Sequence, residues 1–495
     1  MAYVTHFVTR AGSPKPGPGA YPVDRLVKVA EYHVENFGCR ASRADGEAIA
    51  SRLRDSGVRE AGQPGLADVV IVNTCSVTEE ADRSARAYLR RIRRENPKAR
   101  VVVTGCYAQR APEELAALPG VHAVIGNSHK SRVVEAAIAQ ISSSDKGSGA
   151  FVPLNSLRPS SIESGAASVS IWHDPLFAHS ELAALPFASD AHQTRPNLKI
   201  QDGCGNRCSF CIIPTTRGSS RSVNLKECLR AVEGFAAQGG QELVLSGINL
   251  GRWGRDLSPA TRLEELVGAI LEKTSLPRLR ISSVEPMDWS ADLIALFRMH
   301  GQDRGGGGPR LARHAHLPLQ SGSDAILRAM HRRYRPWHYA AKLEEIRSAS
   351  PGAAIGADVM IGFPGETDSL FAQTYDFIDR LPFTYLHVFP FSARPGTQAF
   401  AWHQSTPSSG NAVKERKIAL RRLISRKNAE FRASLIGSTL SVVTLAGSSA
   451  FTTEALSDNF VKLMVEGAFA PNRLLRVRIA AMTPDGLTGV PVSAS

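Results

Sequence analysis

The 495-residue sequence predicts an α/β protein with an N-terminal parallel α/β domain, a partial (β/α)6 barrel and a small C-terminal β module. Three observations lead there. Apolar strands alternate with amphipathic helices over residues 32–138, a second alternation repeats six times over residues 198–389, and after Ser438 the pattern turns to short alternating strands.

Bulk properties bound the function. Hydrophobic residues make up 43% and charged residues 21%, the balance of a soluble globular chain whose length suits about three domains. No run reaches the roughly 18 apolar residues that a membrane span needs. Residues 1–28, with Pro14, Pro16 and Pro18, lack the apolar centre of a secretory signal, so they are expected to be a loose extension of a cytoplasmic protein. Lysine and arginine number 59 against 46 acids, and this excess of +13 favours a polyanionic partner.

Within residues 29–141, strands are expected at 32–37, 69–73 and 101–104. Each is followed within a residue or two by a cysteine, namely Cys39, Cys75 and Cys106. In a parallel sheet, residues just past successive strand ends gather along the carboxyl edge, so the three thiols converge without any local motif. Residues 142–189 shift to Ser, Gly and Pro and read as a linker or partly ordered insertion.

Residues 190–435 hold the second run, with strands expected at 198–201, 242–246, 278–283, 314–319, 354–361 and 385–389. Right-handed crossovers between them build a closed or partly closed barrel whose chemistry sits on the loops after the strands. A basic helix over 412–434 follows. It carries Lys414, Arg416, Lys417, Arg421, Arg422, Arg426, Lys427 and Arg432 against only Glu415 and Glu430, and a smaller cluster is Arg328, Arg332, Arg333 and Arg335. Either is a solvated face or a phosphate footprint. Residues 436–495 are expected to form a small β, RNA-binding module, with strands at 439–445, 460–465 and 474–479.

The strongest local motif is Cys204-Gly205-Asn206-Arg207-Cys208-Ser209-Phe210-Cys211, directly after the first barrel strand. Three thiolates so close can ligate three irons of a 4Fe-4S cluster and leave the fourth iron open to a cofactor. Structural zinc wants a fourth ligand, and Cys228 lies within a helical pattern that makes it a core residue. His314 and His316 alternate on one strand and read as core histidines with no metal.

This CxxxCxxC triplet, with an aromatic before its last cysteine, resembles the signature of the radical S-adenosylmethionine superfamily. The segments around Gly38-Cys39-Arg40, Asn73-Thr74-Cys75 and Thr104-Gly105-Cys106 resemble the N-terminal domain of its methylthiotransferases. The resemblance implies two 4Fe-4S clusters, one on each set of three cysteines, and S-adenosylmethionine bound at the triplet. It implies transfer of a methylthio group to an unactivated carbon. For S-adenosylmethionine it points to Ser246, Gly247, Ser283, Glu285, Gln320, Ser321, Asp358 and Gly362, although Gly247 and Gly362 also suit tight turns and Glu285 a helix cap.

Three branches of that family act on isopentenyladenosine in tRNA, on N6-threonylcarbamoyladenosine in tRNA, and on an aspartate of a ribosomal protein. Gln201-Asp202-Gly203-Cys204, Arg394-Pro395-Gly396-Thr397 and Ser457-Asp458-Asn459-Phe460 look most like the threonylcarbamoyladenosine branch. The implied partner is therefore tRNA near its anticodon, at adenosine 37, together with a sulfur donor and an electron donor. Arg40-Ala41-Ser42-Arg43 departs from the asparagine usual after the first cysteine, and the loop at 304–308 reads as an insertion into the barrel. The rival of another class is a non-catalytic iron-sulfur RNA-binding protein.

Overall fold

The computed structural model describes residues 29–144, 169–177, 194–303, 307–483 and 486–492. The expected N-terminal extension, most of the linker and part of the 304–308 loop lie outside the described residues.

The first region is one parallel sheet. Its strands are β1 (Glu31–Asn36), β2 (Arg59–Glu60), β3 (Val69–Thr74), β4 (Arg100–Gly105), β5 (Val121–Gly126) and β6 (Ser170–Trp172), in the order β2-β1-β3-β4-β5-β6. The Val/Ile run of β3 is wholly buried, as a central parallel strand covered on both faces requires. The helix Glu79–Glu95 begins at Thr78, whose hydroxyl accepts from the Ala81 amide. It carries Glu79, Glu80 and Asp82 in its first turn and Arg93 and Arg94 in its last, so its charges oppose the macrodipole. β6 falls inside the segment expected as linker. A three-residue strand among serines and glycines leaves too short a pattern to read, yet it completes the sheet beside β5.

The second region contains β7 (Asn197–Asp202), β8 (Arg221–Ser222), β9 (Glu242–Gly247), β10 (Arg278–Ile281), β11 (His314–His316), β12 (Ala354–Ile361) and β13 (Tyr385–Pro390). Six of these run parallel in two arcs, β7-β9-β10 and β11-β12-β13, joined by the single bridges Leu279 to Leu311 and Ser283 to His316. The result is the expected partial (β/α)6 barrel. The two-residue β8 pairs antiparallel beyond β7, on the edge away from β9. Its core packs Leu245, Leu279, Ile355 and Val359 from the strands against Phe235, Ile270, Phe297 and Leu343 from the helices. Cys228 is buried in that core, with its thiol 3.7 Å from the Val223 carbonyl.

The third region is a closed barrel of five strands, β14 (Thr439–Ser448), β15 (Thr452–Ser457), β16 (Lys462–Glu466), β17 (Leu474–Thr483) and β18 (Gly486–Pro491). Only three strands are expected from the sequence. β18, with Gly486, Gly489 and Pro491, breaks the strand pattern that its pairing with β16 and β17 restores.

Buried ion pairs hold the regions together. Asp45, on the helix Arg40–Asp55, meets Lys199 of β7 and Arg217, and those two cations also bind Asp202 at 2.9 Å each. Lys130 joins the same Asp45 carboxylate. Burial alone would raise the Asp45 carboxyl, but Lys130, Lys199 and Arg217 outweigh it and hold it at about 2. Arg394, following β13, reaches Asp82 at 2.6 Å and the Ser76 carbonyl, and so clamps the loop after β3. At the far end Arg280 donates to the Ser457 and Asp458 carbonyls, and Asp458 accepts from Arg313. No helix among the described residues is long and apolar enough to cross a membrane.

Candidate active site

Both cysteine sets lie at carboxyl edges. β1, β3 and β4 are neighbours whose ends are in register, Asn36 beside Asn73 and Thr74 beside Gly105, so the next turns carry Cys39, Cys75 and Cys106 to one place. The Cys75 thiol is pushed up to about 12 by burial and by the Cys106 and Cys39 sulfurs facing it. Three converging sulfurs form a soft donor set able to bind a metal ion as thiolates. Gly38 allows the approach: its φ is +110°, and a Cβ there would stand 2.5 Å from Cys75 Cβ and 2.8 Å from its sulfur. Asn127 donates to Cys106 Sγ at 3.5 Å.

The second set, Cys204, Cys208 and Cys211, lies on the loop after β7. Burial, then the neighbouring Cys208 and Cys204, pushes the Cys211 thiol up to about 12. Donors face these sulfurs: Asn249 and the Asn206 amide reach Cys204 Sγ, and Arg332 reaches Cys208 Sγ, each at 3.4 Å. The donor set fits an iron-sulfur cluster, with soft ligands on one side and N–H groups to spread their negative charge.

One cavity of about 670 Å³ joins the two sets. Its walls include Cys39 together with Cys204, Cys208 and Cys211, and, from the loops and strand ends of the barrel, Ser246, Gly247, Ser283, Glu285, Gln320 and Asp358. Glu285 is held by Arg332, and Gln320, at φ +63°, keeps a buried Oε1 with no hydrogen-bond partner. A side chain at Gly247 would press on Gln201, whose Oε1 accepts from the Asn249 amide at 2.7 Å.

Two residues expected to contact S-adenosylmethionine are elsewhere. Ser321 is fully buried and bonds Thr374 at 3.0 Å, and Gly362 makes a turn at φ +72°, its amide donating to Glu366. Both shape strand-to-helix loops without reaching the cavity wall. His314 is a core residue bonded to the Tyr385 hydroxyl at 2.7 Å, whereas His316 lines the cavity, its Nδ1 2.9 Å from Ser283 Oγ and its Nε2 3.4 Å from Asp358.

Sequence reasoning missed Arg40, Asn249, His316, Arg332 and His387 as cavity residues. Arg332 belongs to the basic cluster expected to be a solvated face or a phosphate footprint, but it is buried and turned inward, while Arg328 and Arg335 pair with Asp324. In the basic helix, observed over Gly410–Ala433, Arg416 is buried against Glu366 and Asp368. Arg426 pairs with Asp379 and Glu430, and Arg421 and Arg422 are exposed.

Residues 31–126 match the family model described as uncharacterized protein family UPF0004, and residues 198–378 match the radical SAM superfamily. The chain is 32% identical to the threonylcarbamoyladenosine tRNA methylthiotransferase MtaB of Aquifex aeolicus, across 90% of this chain and 99% of that protein. To MtaB of Bacillus subtilis it is 31% identical, across 87% and 89%. To the tRNA-2-methylthio-N(6)-dimethylallyladenosine synthase of Novosphingobium aromaticivorans it is 30% identical, across 83% and 86%. Among solved structures, the radical S-adenosylmethionine methyltransferase TsrM from Kitasatospora setae, with cobalamin and a 4Fe-4S cluster bound, aligns at TM-score 0.52. That match covers 75% of this chain and 77% of TsrM at 16% identity, a likeness of fold.

Proposed function

The chain belongs to the methylthiotransferases of the radical SAM superfamily, and from that premise we propose that it converts N6-threonylcarbamoyladenosine at position 37 of tRNA into its 2-methylthio derivative. It is a transferase of the class that uses S-adenosylmethionine and a 4Fe-4S cluster. The single cavity lined by Cys39 and by Cys204, Cys208 and Cys211 carries the reading, because sulfur insertion at an unreactive carbon needs a sulfur carrier and a C–H activator facing one substrate.

In this reading Cys204, Cys208 and Cys211 hold the superfamily's cluster, and Cys39, Cys75 and Cys106 hold a second. Once bound, these groups supply an iron open to S-adenosylmethionine, a carbon radical able to take hydrogen from an unactivated C–H bond, and soft iron able to hold sulfur. The protein's own part is orientation. Asn249 and Arg332 steady the sulfurs of Cys204 and Cys208, and Arg332 also aims the Glu285 carboxylate into the cavity. The free Oε1 of Gln320 is an acceptor awaiting a ligand donor, and Gly247, where a Cβ would press on Gln201, leaves room for the Gln201 side chain that accepts from the Asn249 amide. Clamps at Arg394 and Arg217 keep the two cysteine sets at a constant separation.

The exposed Arg421 and Arg422 offer phosphate contacts for the anticodon arm of tRNA, and a tRNA partner fits a cytoplasmic enzyme. Mass spectrometry of tRNA nucleosides from a deletion strain tests the target. Loss of 2-methylthio-N6-threonylcarbamoyladenosine alone supports it. Loss of the isopentenyl analogue instead supports the second reading, which the likeness to the dimethylallyladenosine synthase keeps in view.

A further inference from the structure

Arg40 follows Cys39 directly and enters the same cavity that the barrel cysteines line. Among the described residues its guanidinium makes no hydrogen bond and no ion pair; its one close partner is the ring of Phe460, at 5.9 Å from the third region. That ring is held in place at some conformational cost. Phe460 has φ +64°, and its turn is pinned where Ser457 Oγ bonds Asn459 at 2.6 Å and accepts from the Val461 amide. All three regions of the fold therefore meet at this cation.

Among the described residues no carboxylate pairs with it. Arg280 stacks on the same Phe460 ring, at 5.4 Å, and Arg195, Arg278 and Arg280 share the single carboxylate of Glu242. Asp358 is the nearest cavity carboxylate in electrostatic reach of Arg40, but no ion pair forms, and the Asp358 oxygen lies 3.4 Å from His316. A guanidinium that lines a ligand cavity with no carboxylate in contact among the described residues is a ready anion receptor, and its flat fork suits a carboxylate.

We propose that Arg40 is the specificity residue that binds the carboxylate of the threonyl group on N6 of the substrate base. The inference rests on the threonylcarbamoyladenosine reading above. That carboxylate is about seven bonds from the carbon to be thiolated, on the same base, so one cavity can hold both. It is absent from an isopentenyl base, whose side chain is neutral and apolar. The Phe460 ring lies beside the guanidinium, 5.9 Å away, and biases where it points.

The experiment uses reconstituted holoenzyme and one anticodon stem-loop RNA prepared in three forms: with the free threonyl acid, with its methyl ester, and with the isopentenyl base. The ester keeps every phosphate and removes only the carboxylate charge, which separates base recognition from backbone recognition. Wild-type enzyme is expected to bind the acid and turn it over with kcat/KM about ten- to a hundredfold above the ester, the range of a charge-assisted hydrogen-bonded pair. Arg40→Gln should erase that acid-to-ester ratio in both Kd and kcat/KM, and Arg40→Lys should restore part of it. Iron content checks that the neighbouring Cys39 set survives the change, and the wild-type acid-to-ester comparison needs no variant at all. An acid-to-ester ratio near one in wild type, or one that Arg40→Gln leaves intact, overturns the role of Arg40 while the target stands. Turnover of the isopentenyl RNA alone overturns the target itself.

Discussion

Cys204, Cys208 and Cys211 lie within one loop, whereas Cys39, Cys75 and Cys106 are 36 and 31 residues apart and meet only because β1, β3 and β4 are neighbours in a sheet. The first set takes its geometry from chain connectivity and the second from the fold. That difference has energetic consequences. A local triplet can gather its metal while the rest of the chain is still loose, but the distributed set exists only once the sheet has closed its loops. The distributed site therefore feels changes in packing around it that the triplet tolerates.

Removing one sulfur from each set separates the two most sharply. Wild type is expected to hold about eight irons per chain, two clusters of four. Cys208→Ala should abolish reductive cleavage of S-adenosylmethionine altogether. Cys75→Ala should keep that cleavage, retain about four irons, and form no methylthio product; iron analysis with quantified 5′-deoxyadenosine and nucleoside mass spectrometry checks both. Equal loss of cleavage in the two variants would erase the distinction.

Next in size is the buried junction between the regions. Asp45→Asn leaves Lys130, Lys199 and Arg217 around a neutral group, with Asp202 as their remaining carboxylate, and should cost about 4 kcal/mol in urea unfolding. The same junction sets an acid limit. The folded Asp45 carboxyl sits at about 2, below the roughly 3.9 of an unfolded aspartate. Its contribution is thus complete above about pH 4 and drains away as pH falls towards 2. Thermal melts across that range should show Tm falling faster for wild type than for Asp45→Asn.

Glycines sharpen the comparison at smaller cost. Gly38→Ala forces a Cβ onto Cys75 at positive φ and should cost about 3 kcal/mol, with iron lost from the distributed set. Gly205→Ala, inside the triplet, meets nothing within 4 Å and should change stability by less than about 0.5 kcal/mol. Similar iron loss from both variants would contradict the argument.

The same contrast explains what was legible in the sequence. Strand-then-cysteine, repeated three times, exposed the distributed set because a parallel sheet turns a sequence period into a spatial edge. Family resemblance, not the sheet rule, pointed to Ser246, Gly247, Ser283, Glu285, Gln320 and Asp358, all of which line the cavity. Ser321 and Gly362 follow their strands equally closely but point away, because the tight turns that begin the next helices consume them. Arg332 and Asn249 were not legible. Each acts across space on a sulfur from another loop, and nothing in a charge cluster or a lone asparagine tells which way it faces.

The smallest expected effect concerns the basic helix, where charge alone misleads. Its arginines divide by partner: Arg416 is spent on Glu366 and Asp368, Arg426 on Asp379 and Glu430, while Arg421 and Arg422 stay exposed. A cation already held by a carboxylate gains little from a phosphate, because one attraction replaces another. The double change Arg421→Ala with Arg422→Ala should therefore flatten the plot of log affinity for tRNA against log salt by about 1.4 to 1.8, near 0.7 to 0.9 for each phosphate no longer neutralised. Arg426→Ala should leave the slope close to that of wild type. If the Arg426 change flattened it as much as the double change, the helix would be acting as a diffuse positive surface, and its ion pairs would not be selecting which arginines meet the RNA.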